Sequence, residues 1–344
     1  MPTIAFYVNP DGSGHRRRVL QIIAALNKPV HVVTREDKAA HFRDYPLVTL
    51  HTVTQAEIED LYRVLRLEVE SHSGSLEDTT QYALLSEISP DILHVDVCTE
   101  VAEIARALEI PYTFTLMHGD RMKDPAHKAT YAGAKRLLAP YPEALRDATL
   151  PTWIHAKTVY CGLMSSRPLP ASTPAPVPDR PRTVACVLGK GFATGYANAL
   201  TSEVLETLAA EFGDYRFQVL GEVGQAQAAQ ENLEYLGFVE EPARTLQQAS
   251  VVLGTTGYNV LSEVAQLNAR FVTVPATTPF DEQLVKARLL DRLNYAVCVE
   301  EVHNLAVWRQ AFERVGGLQA IQELYNPEAA SVAATAITEA FGLT

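Results

Sequence analysis

The chain has 344 residues, 47% of them hydrophobic and 20% charged, with a formal charge of −12 at pH 7. That length suits two domains with sizeable cores, and nothing in the composition points to disorder. The acidic balance argues against a duplex nucleic-acid partner, whose phosphates need clustered Lys and Arg, and weakens docking on anionic lipid, although a local basic patch escapes that argument.

Cys98, Cys161, Cys186 and Cys298 are scattered, with no CxxC pair and no histidine at zinc spacing. They read as small buried hydrophobes in a reducing compartment. Residues 1–6 lack the basic stretch that opens a signal peptide, and no run reaches the roughly 18 apolar residues of a membrane span. The expected location is the cytoplasm. An amphipathic face over residues 61–69 leaves peripheral membrane contact open, with core packing the better account of it.

Short β-rich runs alternate with helical patterns from end to end, the signature of parallel sheets covered by helices. Residues 4–8, 30–34, 48–52, 92–96, 112–116 and 136–139 read as strands, and 19–26, 58–70 and 101–108 as helices. Residues 167–181 carry six prolines and fit neither a helix nor a central strand. The alternation restarts with strands at 183–188, 216–220, 251–253, 271–274 and 296–299, and helices at 204–212, 243–249 and 327–341. The expected organisation is an N-terminal Rossmann-like domain over 1–166, a proline-rich linker over 167–182 and a second Rossmann-like domain over 183–326. A C-terminal helix over 327–344 is expected to pack back on the first domain.

The first strand runs into Asp11-Gly12-Ser13-Gly14-His15-Arg16-Arg17-Arg18. Glycines at such a turn let backbone approach a ligand, and the helix that follows presents unpaired N–H groups and a positive dipole end. Arg17 stands where GxGxxG would need its last glycine, and the loop lacks the GK[ST] ending, so a dinucleotide fold and an NTPase both lose ground. His15 falls at the mouth of the sheet, where open α/β sheets bind ligands, and its chemistry suits a general base. Asp96, ending its own strand, can orient the imidazole; Asp120 is a second candidate, or simply a loop turn. A helix-capping or structural histidine is the plainer alternative. The arginine triplet opposes the helix dipole, which suggests either an anionic ligand or pairing with nearby carboxylates.

The most specific segment is Gly254-Thr255-Thr256-Gly257-Tyr258-Asn259, followed by Ser262-Glu263, Val274-Pro275 and Asp281-Glu282-Gln283. It reads as strand, Gly/Thr loop, helix, strand, polar loop, helix. The first loop can offer amides and hydroxyls to a diphosphate, and Glu263 can accept bonds from two ribose hydroxyls. Asp281 and Gln283 can meet sugar hydroxyls, with N-capping the alternative for Asp281.

This pattern resembles the donor half of glycosyltransferase-B enzymes, especially family 28 and the peptidoglycan GlcNAc transferase. Gly254, Gly257, Ser262, Glu263, Pro275, Asp281 and Gln283 match that motif. Gly12, Gly14 and His15 match the family's N-terminal glycine loop, and Gly189, Gly191 and Gly195 the loop opening its second domain. The resemblance implies two Rossmann-like α/β domains facing across a cleft. It implies a nucleotide-diphosphate sugar as small-molecule donor, UDP-linked by preference, with transfer by inversion and neither metal nor cofactor. Glu263 would hold the ribose and Thr255, Thr256 and Gly257 the diphosphate, with Asn259 beside them. Asp281 and Gln283 would read the sugar, and His15 would be the base, oriented by Asp96. The arginine triplet and Lys190 depart from the pattern, and the acceptor stays open. A nucleotide-sugar hydrolase with a Gly-x-Gly-His-x-x-Arg loop and a non-catalytic nucleotide-sugar binder are the alternatives.

Overall fold

The computed structural model describes residues 2–10, 13–66, 75–165, 182–188, 199–221, 230–239 and 241–342. The strands are β1 (Ile4–Val8), β2 (Val30–Arg35), β3 (Val48–Val53), β4 (Ile92–Asp96), β5 (Tyr112–Thr115), β6 (Arg136–Ala139), β7 (Thr158–Tyr160), β8 (Arg182–Val187), β9 (Tyr215–Leu220), β10 (Leu233–Gly237), β11 (Val251–Gly254), β12 (Phe271–Thr273) and β13 (Val297–Cys298). The helices are α1 (Ser13–Leu26), α2 (Gln55–Arg66), α3 (Thr80–Ile88), α4 (Thr99–Ala107), α5 (Pro125–Gly133), α6 (Thr152–Ala156), α7 (Ser202–Glu211), α8 (Pro242–Gln248), α9 (Tyr258–Gln266), α10 (Glu282–Arg292), α11 (Leu305–Arg314) and α12 (Ala329–Glu339).

They form two parallel sheets, ordered β3-β2-β1-β4-β5-β6-β7 and β10-β9-β8-β11-β12-β13. The sequence analysis gives no element at β7, β10, α3, α5, α6 or α11, and β8 begins one residue earlier than expected, at Arg182. The proline-rich stretch 166–181 lies outside the described residues.

Both faces of each sheet are covered, so the strands read as continuous apolar runs. Strand periodicity sends Ala5 and Tyr7 to one face, among Ile58, Leu61, Val101 and Ile104. Ile4, Phe6 and Val8 take the other, among Val19, Ile22 and Ile23 of α1 and Ala333 and Ile337 of α12. α12 lies along α1 and reaches β6. Leu61 belongs to the core, with Leu65 packed against it; residues 67–69 of that amphipathic stretch are outside the described set. Among the described residues no helix is long and apolar enough to cross a membrane.

The second sheet packs Val184, Cys186 and Leu253 against Leu208, Trp308 and Phe312. Its opposite face joins Ala185, Val252 and Phe271 to Leu261, Val264 and Leu290, and that cluster continues into Tyr141, Leu145 and Leu163 of the first half. The segment after β7 meets the segment before α12. Leu163 bridges Tyr325, Asn326 N donates to Leu163 O at 2.9 Å, and Asn326 Nδ2 donates to Cys161 O at 2.7 Å.

Candidate functional site

Strand order fixes where the site falls. In the first sheet successive connections run outward in opposite directions from β1 and β4, and in the second from β8 and β11. The carboxyl ends at such a switch point open a crevice. Val8 pairs with Asp96 at the first of these rims, and Val187 with Gly254 at the second. The two rims meet: Asn259 Nδ2 at the start of α9 donates to Ser13 Oγ at the start of α1, 2.8 Å away. A Cβ on Gly14 would stand 3.5 Å from Tyr258 Cβ, so two helix N-termini come together here.

The structure brings His15 and Asp96 together, with Nδ1 2.7 Å from Asp96 Oδ2. A carboxylate only accepts, so Nδ1 carries the hydrogen, and in the neutral ring Nε2 keeps its lone pair. The imidazole is 22% exposed and the carboxylate fully buried. Burial alone would push the Asp96 carboxyl up; the Arg18 guanidinium, and then His15, outweigh it and hold it well below the usual carboxylate range. Val97, next in the chain, has φ of +55°, and Asn9 Nδ2 donates to its carbonyl at 3.0 Å. A β-branched residue in the left-handed region marks backbone strain beside the pair. Asp120 does not reach this pair: its carboxylate meets Lys123 Nζ at 2.5 Å.

On the facing rim, Thr255, Thr256, Ser262 and Glu263 are buried. Glu263 Oε1 stands 3.5 Å from Arg17 Nη1 of the opposite half, which puts this carboxylate at the junction of the rims. Gly254 is required for packing, because a Cβ there would crowd Val187 O at 3.2 Å and Val260 Cγ1 at 3.3 Å. Gly257 forms the N-cap of α9. Gln283 braces the loops: its Oε1 accepts from Ala276 N at 3.2 Å, and its carbonyl from Thr256 Oγ1 at 2.8 Å. Asp281 occupies the N-cap position of α10 without a capping bond, at φ +53°, and is exposed. Gly12, Gly189, Gly191 and Gly195 lie outside the described residues.

Four charged residues complete the site; Arg18 realises the carboxylate pairing open to the arginine triplet, and sequence reasoning gives no role to Lys286, Glu282 or Arg121. Arg18 is buried and donates to Asp96 Oδ1 at 2.5 Å. Lys286, also buried, donates to Thr256 O at 3.2 Å, behind the Gly/Thr loop. Glu282 meets Lys286 at 3.4 Å and Arg121, from the other half, at 2.9 Å. Burial works to raise the Glu282 carboxyl, but Lys286 and Arg121 outweigh it and keep it lowered. Helical spacing was the available signal, since Arg18 falls three residues after His15 and Lys286 three after Gln283.

The same contact fixes the loop before α10. Phe280 and Asp281 both have positive φ, Phe280 O accepts from Asp120 N at 3.1 Å, and the Arg121 guanidinium lies 4.7 Å from the Phe280 ring centroid. Gly119 is needed here: its φ is +106°, and a Cβ would fall 2.4 Å from Phe280 O. Gly119→Ala is expected to cost about 1–3 kcal/mol in urea denaturation, and an unchanged midpoint would remove the steric argument.

No protein-family model matches the chain, and no curated protein matches it in sequence. Solved structures do match. The glycotransferase of kitacinnamycin superposes with a TM-score of 0.71 at 17% identity, covering 99% of this chain and 100% of that one. The spinosyn rhamnosyltransferase SpnG gives 0.67 at 15%, covering 98% and 96%, and is also solved in complex with thymidine diphosphate. MurG of Acinetobacter baumannii gives 0.65 at 15%, covering 98% and 100%. The two-sheet architecture is the glycosyltransferase-B fold.

Proposed function

We propose that the chain transfers a sugar from a nucleotide-diphosphate sugar, UDP-linked by preference, to an acceptor hydroxyl, with inversion and without a metal ion. The observation that carries this reading is the meeting of the two rims. The His15–Asp96 pair on one stands against the Thr255–Gly257 loop and Glu263 on the other, joined by the Asn259–Ser13 bond. The glycosyltransferase-B fold supports it.

In this reading Glu263 accepts bonds from the ribose hydroxyls, and Arg17 gives up part of its hold on that carboxylate as the donor arrives. Thr255, Thr256 and Gly257 receive the diphosphate, with the N-terminus of α9 and the buried Lys286 charge behind them. Asp281 and Gln283 meet the sugar. His15 Nε2 takes the proton of the acceptor hydroxyl; the acceptor oxygen bonds to C1 as the bond from C1 to the diphosphate oxygen breaks, and the diphosphate leaves as the anion.

The deciding experiment is a thermal-shift screen over UDP-, GDP-, dTDP- and CDP-sugars, since a ligand well above its Kd stabilises the folded chain measurably. One class is expected to raise Tm, and no shift with any of them would overturn the reading. With the donor identified, Glu263→Ala is expected to weaken nucleotide binding about 10- to 100-fold, the worth of one charged hydrogen-bonding site, measured by calorimetry. Nucleotide release without an acceptor, at the rate seen with one, would favour a hydrolase instead.

A further inference from the structure

The arginine after the catalytic candidate is set into its hydrogen-bond system. Arg18 lies one helical turn beyond His15 on α1, is 2% exposed, and reaches the same buried carboxylate. One guanidinium nitrogen, Nη2, stands 2.5 Å from Asp96 Oδ1 and 3.1 Å from His15 Nδ1. Nδ1 gives its hydrogen to Asp96, so the approach of Nη2 to it brings two donors together, tolerable because both face one carboxylate. From the other half, Tyr258 of α9 closes over Arg18, its ring centroid 5.0 Å from the guanidinium carbon, and its hydroxyl accepts from Met164 N at 3.3 Å.

We propose that Arg18 is a positioning residue that shares the Asp96 carboxylate with His15 and so sets how strongly the imidazole holds a proton. An aspartate bonded to an imidazole favours the imidazolium, while a guanidinium 3.1 Å from the same ring opposes it. A lone buried carboxylate would tend to trap the proton on His15; with Arg18 fixed beside it, the ring is kept ready to accept one. The other titratable groups around the trio are His94 on β4, Cys161 after β7, Tyr258 on α9, and Glu282 and Lys286 on α10. Burial brings His94 down to about 4 and Tyr258 up to about 12, so both stay neutral between pH 5 and 9. The Arg18 charge also lowers His94, Cys161, Tyr258 and Lys286, so the test follows the His15 signal itself.

The inference rests on the reading of His15 as the base, but its test does not need turnover. The His15 imidazole is titrated by NMR in the full chain, its signal assigned by its loss in His15→Gln. Arg18→Gln, which keeps a donor for Asp96 and removes the charge, is expected to raise the midpoint by about one pH unit. Arg18→Lys, which keeps the positive charge on a shorter and less fixed side chain, moves it the same way by less. An unmoved or lowered midpoint in the folded variants overturns the proposal and leaves Arg18 a packing strut. In the transfer assay the acid limb of kcat/KM should rise with the midpoint. A midpoint that rises while the rate profile stays put keeps the inference about Arg18 and removes His15 from the proposed mechanism.

Discussion

His15→Ala is expected to lower kcat for the proposed sugar transfer by about 10²–10⁴-fold, the usual worth of a positioned general base, and to leave nucleotide-sugar affinity nearly unchanged. The separation follows from the geometry. His15 and its partner Asp96 belong to the rim of the first sheet, whereas the groups assigned to the donor stand on β11, α9 and α10 of the second. Loss of the imidazole removes the proton acceptor without touching the Gly/Thr loop or Glu263. Single-turnover rates and nucleotide-sugar titrations on one preparation separate the two effects. Full activity in this variant would discard His15 as the base, and a parallel loss of donor affinity would move it to the donor site.

Asp96→Ala is expected to cost about 3–5 kcal/mol of folding stability, because it strands the buried Arg18 charge. Asp96→Asn keeps a hydrogen-bonding oxygen for Arg18 and loses less. The Asp96 carboxyl is held below its ordinary range by Arg18 and His15, so its contribution to stability is whole above the carboxylate midpoint of an unfolded chain, about pH 3.9. It declines as the pH falls below that value, where the unfolded state takes up the proton first, and vanishes only below the much lower folded midpoint. The wild type should therefore lose more stability than Asp96→Asn between about pH 5 and pH 3. Urea midpoints across that range decide it, and equal slopes would mean that the carboxylate is not the group linking acid to unfolding.

Much of the architecture is legible in the sequence because the central strands are apolar on both faces. β1, β4 and β6 have the bounds their composition suggests. What escapes is marginal in a physical sense. β7 and β10 are edge strands, short and polar at alternate or intermediate positions, and a three-residue run such as Thr158–Tyr160 carries too little pattern to separate it from a loop. The apolar periodicity of α1 begins only at Val19, six residues after the helix starts, because Arg16, Arg17 and Arg18 fill its first turns. Their compensation lies far off in the chain: Asp96 for Arg18 and Glu263 for Arg17. The same distance hid the Arg121–Glu282 contact. Asp281 reads as a sugar contact or a cap; it holds the N-cap position of α10 in a left-handed backbone and makes no capping bond.

α12 has a consequence for how the chain is made. The layer formed by Ile4, Phe6, Val8 and α1 closes only when Ala329, Ala333 and Ile337 arrive. Nascent domains ordinarily settle in the order of their synthesis, but here the earliest sheet waits, one face partly bare, while the whole of the second is translated. On the ribosome, the first half should stay protease-sensitive along α1 until residues near 337 have emerged, so the half synthesised first is the last to be sealed.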